Sequence, residues 1–318
     1  MDPTDAMPYS KPSSGYLFVN KTPGLTSSDV VIRLKKKFHL DSIGHTGTLD
    51  RFAEGLLILP FGDYTAFSQL FLGEDKTYYA EVELGKRTDS GDLDGLVLED
   101  WTLDEVATRA QEIRWSEDFL YREMNELLSW KLQKAPTLSA LKVDGRRQSD
   151  QVRSGKVVKE KERAIRIEKV WDVRFEENRF CFRIHVSSGT YIRKIVLDLS
   201  EKWGLPLVLT RLVRESIGKW TLTGAKTYME TEIQDAKRWQ DVLVLPFRRV
   251  NAEEKKAVIH GGYVWDKLPE AGETGFYFLE EGTDEIVAWC VYQGRPSHLP
   301  YRYSKVFFNP TAKIMFSI

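Results

Sequence analysis

Gly44-His45-Thr46-Gly47-Thr48-Leu49-Asp50-Arg51-Phe52-Ala53-Glu54-Gly55 places one carboxylate, Asp50, behind a small-residue turn that carries a histidine and two glycines. An apolar run, Leu56-Leu57-Ile58-Leu59-Pro60, follows at once. A surface aspartate needs no such setting. The local sequence leaves two readings open. Asp50 caps the next segment in a tight turn, or it stands beside a cleft in a partly apolar wall as a nucleophile or base.

Before this stretch, Tyr16-Leu17-Phe18-Val19 reads as a short buried strand and Lys21-Thr22-Pro23-Gly24 as a turn. Thr26-Ser27-Ser28-Asp29 is a capping cluster that opens a helix running to about residue 38, with Val30, Leu34 and Phe38 inward and the lysines outward. Beyond it, residues 77–84 alternate as a strand, and Arg87-Thr88-Asp89-Ser90-Gly91-Asp92 forms a polar loop. Thr102-Leu103-Asp104-Glu105 is a capping box whose helix is expected to bury Leu103, Val106, Ala107, Ala110 and Ile113. A second helical stretch covers about 119–128.

Strand 179–186 turns Phe180, Phe182, Ile184 and Val186 to one face and Arg179, Cys181, Arg183 and His185 to the other. Ser187-Ser188-Gly189-Thr190 then leads into a helix with Ile192, Ile195, Val196 and Leu199 inside. Arg193 therefore sits in a first helical turn, where the dipole prefers anions. It calls for a carboxylate or phosphate partner, unless water alone solvates it. After about Pro246 the texture changes to short strand-like runs separated by Gly and Pro, a small β-rich domain.

The chain of 318 residues is 42% hydrophobic and 29% charged, as a folded globular protein is. Its apolar runs are far short of a membrane span, and the N-terminus carries no signal-peptide pattern. Cys181 and Cys290 lack CxxC spacing, which suits a reducing, cytoplasmic setting. A net charge of −1 confines any nucleic-acid surface to local basic segments, at 33–37, 142–147 and 156–166, each of which also reads as a solvated face. The five histidines show no ligand spacing, so no catalytic metal is expected. Walker and dinucleotide fingerprints are absent. Ser42-Ile43-Gly44-His45 only approaches the HxGH of nucleotidylyl transferases.

Taken together, the motifs resemble those of TruB-type tRNA pseudouridine synthases over most of residues 15–220. The opening Lys21-Thr22-Pro23-Gly24-Leu25-Thr26-Ser27, the central Gly44 to Gly55, the strand Lys76-Thr77-Tyr78 and the loop Arg87-Thr88-Asp89-Ser90 occur in the family's order. So do a block with Gln133, Pro136, Ser139-Ala140, Lys142 and Gly145, the complete Ser187 to Arg193 segment, and a last block of Leu212, Arg214, Gly218 and Trp220. One such motif would be weak; six or seven in order are specific.

The resemblance implies an α+β pseudouridine synthase fold, with a mixed, largely antiparallel sheet flanked by helices and a small PUA-like C-terminal domain. The expected division is a flexible tail at 1–14, a catalytic domain at 15–245 and the β-rich domain at 246–318. It implies isomerisation of uridine to pseudouridine in the TΨC loop of tRNA, position 55 in tRNA numbering, by base flipping and without a cofactor. By the same resemblance Asp50 is the catalytic nucleophile, Tyr78 stacks on the flipped base and assists at C5, and Arg193 pairs with the aspartate. His45, Tyr191 and Leu212 are substrate-pocket residues, with Lys21 beside them. The expected partner is the tRNA TΨC arm, bound by a cytoplasmic monomer with neither membrane nor guide RNA. A tRNA folding helper without catalysis is the alternative.

Departures from the pattern raise that alternative. Arg51 replaces the usual proline, which is expected to loosen the turn and add a cation near Asp50. Ser149 stands where a tyrosine is usual, and Ala135 replaces the first proline of a Pro-Pro pair.

Overall fold

The computed structural model describes residues 13–134, 142–143, 146–147, 162–262, 264, 275–283, 285–292 and 301–307, with backbone alone at 142–143 and 146–147. The chain divides into two compact units, Met1–Ala236 and Lys237–Ile318. The first is built on strands β1 (Gly15–Lys21), β2 (Glu54–Phe61), β3 (Lys76–Leu84), β4 (Ile167–Glu176), β5 (Arg179–Val186), β6 (Leu207–Ile217), β7 (Trp220–Thr221) and β8 (Lys226–Thr227). They form one mixed sheet in the order β4-β5-β3-β6-β2-β1-β8, with β7 paired to β6. Only β1–β8 and β2–β6 are parallel pairs. The mixed, largely antiparallel sheet matches the sequence expectation.

The apolar run after Asp50 becomes β2, buried on both faces from Gly55 to Phe61. One face is covered by α1 (Ser27–Phe38), which Thr26 opens with a complete capping box. Val30, Leu34 and Phe38 lie four residues apart on one helix face and pack against Leu17, Leu57 and Leu59. Each such buried side chain contributes about 1.5–3 kcal/mol. The larger core lies on β3, β5 and β6, under α3 (Glu117–Glu126) and α4 (Ile192–Trp203). The strand alternation read for 179–186 is observed, with Phe180, Phe182, Ile184 and Val186 buried.

Helix α2 (Leu103–Glu112) has its Thr102 capping box but not its expected apolar stripe. Leu103 is 72% exposed and Val106 alone is buried. The helix is an outer layer that meets the core through Val106 and, at its C-cap, through the partly buried Ile113. Arg109 fastens it to α4 by donating from Nε and Nη2 to the Trp203 carbonyl, at 3.0 and 2.7 Å.

In the second unit, β9 (Phe247–Val250) runs parallel to β10 (Phe276–Glu280). β11 (Ile286–Tyr292) and β12 (Tyr301–Val306) continue the sheet antiparallel. Asn251 caps α5 (Ala252–Ile259). Trp239 meets Tyr277 edge-on at 5.1 Å, so the segment after Ala236 goes with this sheet. A small four-stranded sheet unit is consistent with the PUA-like expectation.

Candidate active site

Asp50 sits on a loop that three neighbours hold. The Thr46 amide and hydroxyl both donate to the Ile58 carbonyl of β2, at 3.1 and 3.2 Å. Ser27, in the first turn of α1, accepts the Leu49 amide at 2.8 Å and donates to the Leu49 carbonyl at 3.2 Å. Lys21, at the end of β1, is fully buried and donates from Nζ to the carbonyls of Thr22 (3.1 Å), Arg51 (3.3 Å) and Ala53 (2.5 Å). Gly55 closes the loop where β2 meets β6. A Cβ there would lie 2.4 Å from the Arg214 carbonyl oxygen, and its φ of +111° disfavours any other residue.

The Asp50 carboxylate reaches into a cavity of about 290 Å³, at the small end of ligand pockets. Tyr78 of β3 and Leu212 of β6 supply its apolar wall, and Tyr191 and Arg193 its far side. Arg193 is 4% exposed and grips Asp50 with two prongs: Nε to Oδ2 at 2.8 Å and Nη2 to Oδ1 at 3.2 Å. Its remaining nitrogen, Nη1, donates to the Ser90 carbonyl at 3.1 Å and lies 3.3 Å from Asp92 Oδ2. The helix-start arginine therefore has its carboxylate partner, and a second behind it.

Of the residues singled out in the sequence, the fold brings Asp50, Tyr78, Tyr191, Arg193 and Leu212 together around this cavity. Lys21 lies beneath the loop, and His45 is half-buried in the turn ahead of Thr46; neither lines the cavity. Asp92 and the buried cations Lys76 and Arg214 were given no role from sequence. Asp92 belongs to the quoted polar loop, and Lys76 and Arg214 to matched motifs, so a signal existed without a function attached.

Arg214 is 1% exposed and donates to the carbonyls of Leu56 (2.8 Å), Gly47 (3.1 Å) and Thr48 (3.4 Å). Burial pushes its guanidinium below the ordinary range, and Tyr78 and Asp50 pull it back. Lys76 donates to the Leu72 carbonyl at 2.9 Å and to that of Glu74. Burial, helped by Arg214, lowers Lys76 to about 8 against Glu74 and Asp75. Lys21 is likewise lowered to about 8 by burial, against the attraction of Asp50. A small, partly apolar pocket walled by cations and holding one half-buried carboxylate suits a planar base carried on a phosphate backbone.

Comparison with known proteins agrees with this geometry. Residues 35–192 match the family model described as TruB family pseudouridylate synthase (N terminal domain). tRNA pseudouridine synthase B of Leptospira interrogans serogroup Icterohaemorrhagiae serovar Lai (strain 56601) is 39% identical over 308 residues, covering 94% of this chain and 96% of that protein. The chain belongs to the TruB family of pseudouridine synthases.

The TruB relative from Burkholderia pseudomallei (strain 668), also named tRNA pseudouridine synthase B, is 39% identical over 289 residues, 86% of this chain and 91% of that one. In fold the chain is similar to a Cbf5-Nop10-Gar1 complex component (TM-score 0.64, 21% identity, 93% of this chain and 86% of that one). It is equally similar to a chain of an H/ACA RNP bound to a substrate RNA containing 2′-deoxyuridine (TM-score 0.64, 19% identity, the same coverage). As a TruB-family enzyme the protein is an isomerase that converts uridine in tRNA to pseudouridine.

The TruB departures resolve in part. Arg51 is tied to the preceding turn: its carbonyl accepts the Gly24 amide at 2.9 Å, and its Nε donates to the Gly24 carbonyl at 3.2 Å. Its side chain is exposed and does not line the cavity. The basic helix face is partly spoken for, since Arg33 bonds Tyr228 and Lys37 reaches Met229, Thr231 and Glu232. Pro136, Ser139-Ala140, the Lys142 side chain, Gly145 and Ser149 lie outside the described residues, as do the side chains of 142–147 and residues 156–161. Among the described residues no group of three or more His, Cys, Asp or Glu could hold a metal ion, and no helix is long and apolar enough to cross a membrane.

Proposed function

We propose that this enzyme acts on the TΨC-loop uridine at position 55 of tRNA, with Asp50 as the nucleophile. The two-pronged grip of Arg193 on Asp50, at the edge of a cavity sized for one nucleotide, carries the proposal. A uridine inside a stacked loop is out of reach, so it must be flipped into the pocket. Tyr78 offers its ring as a stacking surface, and Leu212 packs against the base edge. Lys76 and Arg214 line the pocket as buried cations that donate to main-chain carbonyls and add positive charge near Asp50.

Asp50 attacks at the ribose or the base, and the bond between C1′ and N1 breaks. The uracil turns, C5 bonds to C1′, the proton on C5 is lost with help from Tyr78, and N1 regains one. Asp50 is released, so atoms and electrons balance without redox change, cofactor or metal. The chemistry falls within the first unit, which ends at Ala236, and the β-rich second unit adds RNA contact. The enzyme works as a cytoplasmic monomer without a guide RNA.

The test is to incubate unmodified tRNA with the protein and map pseudouridine along it. Product in the TΨC loop is expected. Product only at other positions would sink the site assignment, and accelerated tRNA folding with no product would favour the folding-helper reading.

A further inference from the structure

The two-stranded ribbon of Leu132–Lys134 and Glu162–Ala164 pairs antiparallel, with Gln133 directly opposite Arg163. Side chains opposite one another in such a pair share a face. Both reach one short segment of the pocket wall. Gln133, 3% exposed, accepts the Tyr191 amide at Oε1 (2.9 Å) and donates from Nε2 to the Tyr191 carbonyl (3.1 Å). Its side-chain amide thus pairs with Tyr191 as a neighbouring strand would.

Arg163 donates from Nη1 to the Gly189 carbonyl at 2.9 Å, and its guanidinium lies 5.5 Å from the centre of the Tyr191 ring. Gly189 has φ +83°, a backbone that favours glycine, and a Cβ there would come within 2.7 Å of Arg163 Nη1, so the guanidinium would have to move. Helix α4 begins at Ile192 with Tyr191 as its N-cap and no side-chain cap bond of its own. Its first turn carries Arg193. A helix start that lacks a cap is commonly fixed from elsewhere, and here Gln133 and Arg163 fix the residues immediately ahead of it.

We infer that Gln133 and Arg163 are a positioning pair for the uridine-isomerising site, holding the main chain at Gly189 and Tyr191 and thereby setting Arg193 against Asp50. Neither touches the reacting atoms; both act through the loop they hold. The inference rests on the roles proposed above for Asp50 and Arg193.

The test uses the full chain with Gln133→Met, which keeps the length of the side chain and removes its hydrogen bonds, and Arg163→Met. Single-turnover rate at saturating unmodified tRNA, tRNA Kd and thermal midpoint are measured for each. A misplacement of about 1 Å in a catalytic group costs about 10²-fold, so saturating rates are expected to fall about 10–10²-fold while Kd stays within about threefold. A weakened Kd with an unchanged saturating rate would overturn the inference and make the pair RNA-gripping residues. Unchanged rate and Kd would overturn it outright. Should Gln133→Met fail to fold, Arg163→Met, whose side chain is only partly buried, decides alone. No product from the unaltered protein would instead sink the Asp50 and Arg193 reading, which separates the two failures.

Discussion

Replacing Arg193 by lysine keeps a positive charge beside Asp50 and removes the fork. Arginine here uses Nε and Nη2 on the two Asp50 oxygens (2.8 and 3.2 Å) and Nη1 on Ser90 and Asp92 (3.1 and 3.3 Å). A lysine carries all its donors on one atom and cannot span both carboxylates in that planar arrangement. About two hydrogen bonds to charged groups are lost, at about 1.5–3 kcal/mol each, and one new contact offsets part of that. The net loss is about 3 kcal/mol, or about 10²-fold in rate if the pair matters most in the transition state. Arg193 is 4% exposed, so its direct contribution to tRNA affinity should be small. The assay is single-turnover release of tritium from uridine C5 in unmodified tRNA, read beside tRNA Kd. A Kd loss with the saturating rate intact would refute the reasoning.

Lys21 in the folded chain titrates at about 8, against an ordinary value of 10.5. Between those pH values the unfolded chain binds more protons, so the cost of burying this charge is fully present below pH 8 and fades as pH rises. The unfolding free energy of the unaltered protein minus that of Lys21→Met should therefore rise by on the order of 3 kcal/mol from pH 8 to 10.5; a flat difference contradicts it. Gly55→Ala puts a Cβ 2.4 Å from the Arg214 carbonyl oxygen at φ +111°. Strain and overpacking together should cost about 2–5 kcal/mol in a denaturant titration, and a loss below about 1 kcal/mol would show that β6 yields easily. Arg51→Pro removes an exposed side chain that does not line the cavity. Its single-turnover rate should stay within about threefold; a larger change would place Arg51 in contact with the RNA.

What the sequence made legible was local periodicity and motif order. Helix α1 could be read because Val30, Leu34 and Phe38 repeat at helical spacing behind a Thr26–Asp29 capping box. Strand β5 could be read because its alternation is strict. Arg193 announced a missing partner, since a cation in a first helical turn opposes the dipole. Other features depend on distant chain. Leu103 satisfies the periodic pattern yet stays in water, because within α2 Val106 alone is buried. Asp92 looks like one more loop acid until folding sets it behind Arg193. Lys21 and Arg214 carry no local mark of burial, since most of their counterparts are carbonyls of other strands and loops. Gly55 closes the motif in the sequence, and the reason for it is the backbone of β6.

Asp50→Asn tests the central claim most directly, because the amide keeps the shape of the side chain and an oxygen for Arg193 while removing the nucleophilic carboxylate. With unmodified tRNA and the variant in excess, pseudouridine in the TΨC loop is measured over time alongside tRNA Kd. Loss of product with Kd unchanged is the predicted result. Product formed at the rate of the unaltered protein would contradict the assignment of Asp50 as nucleophile.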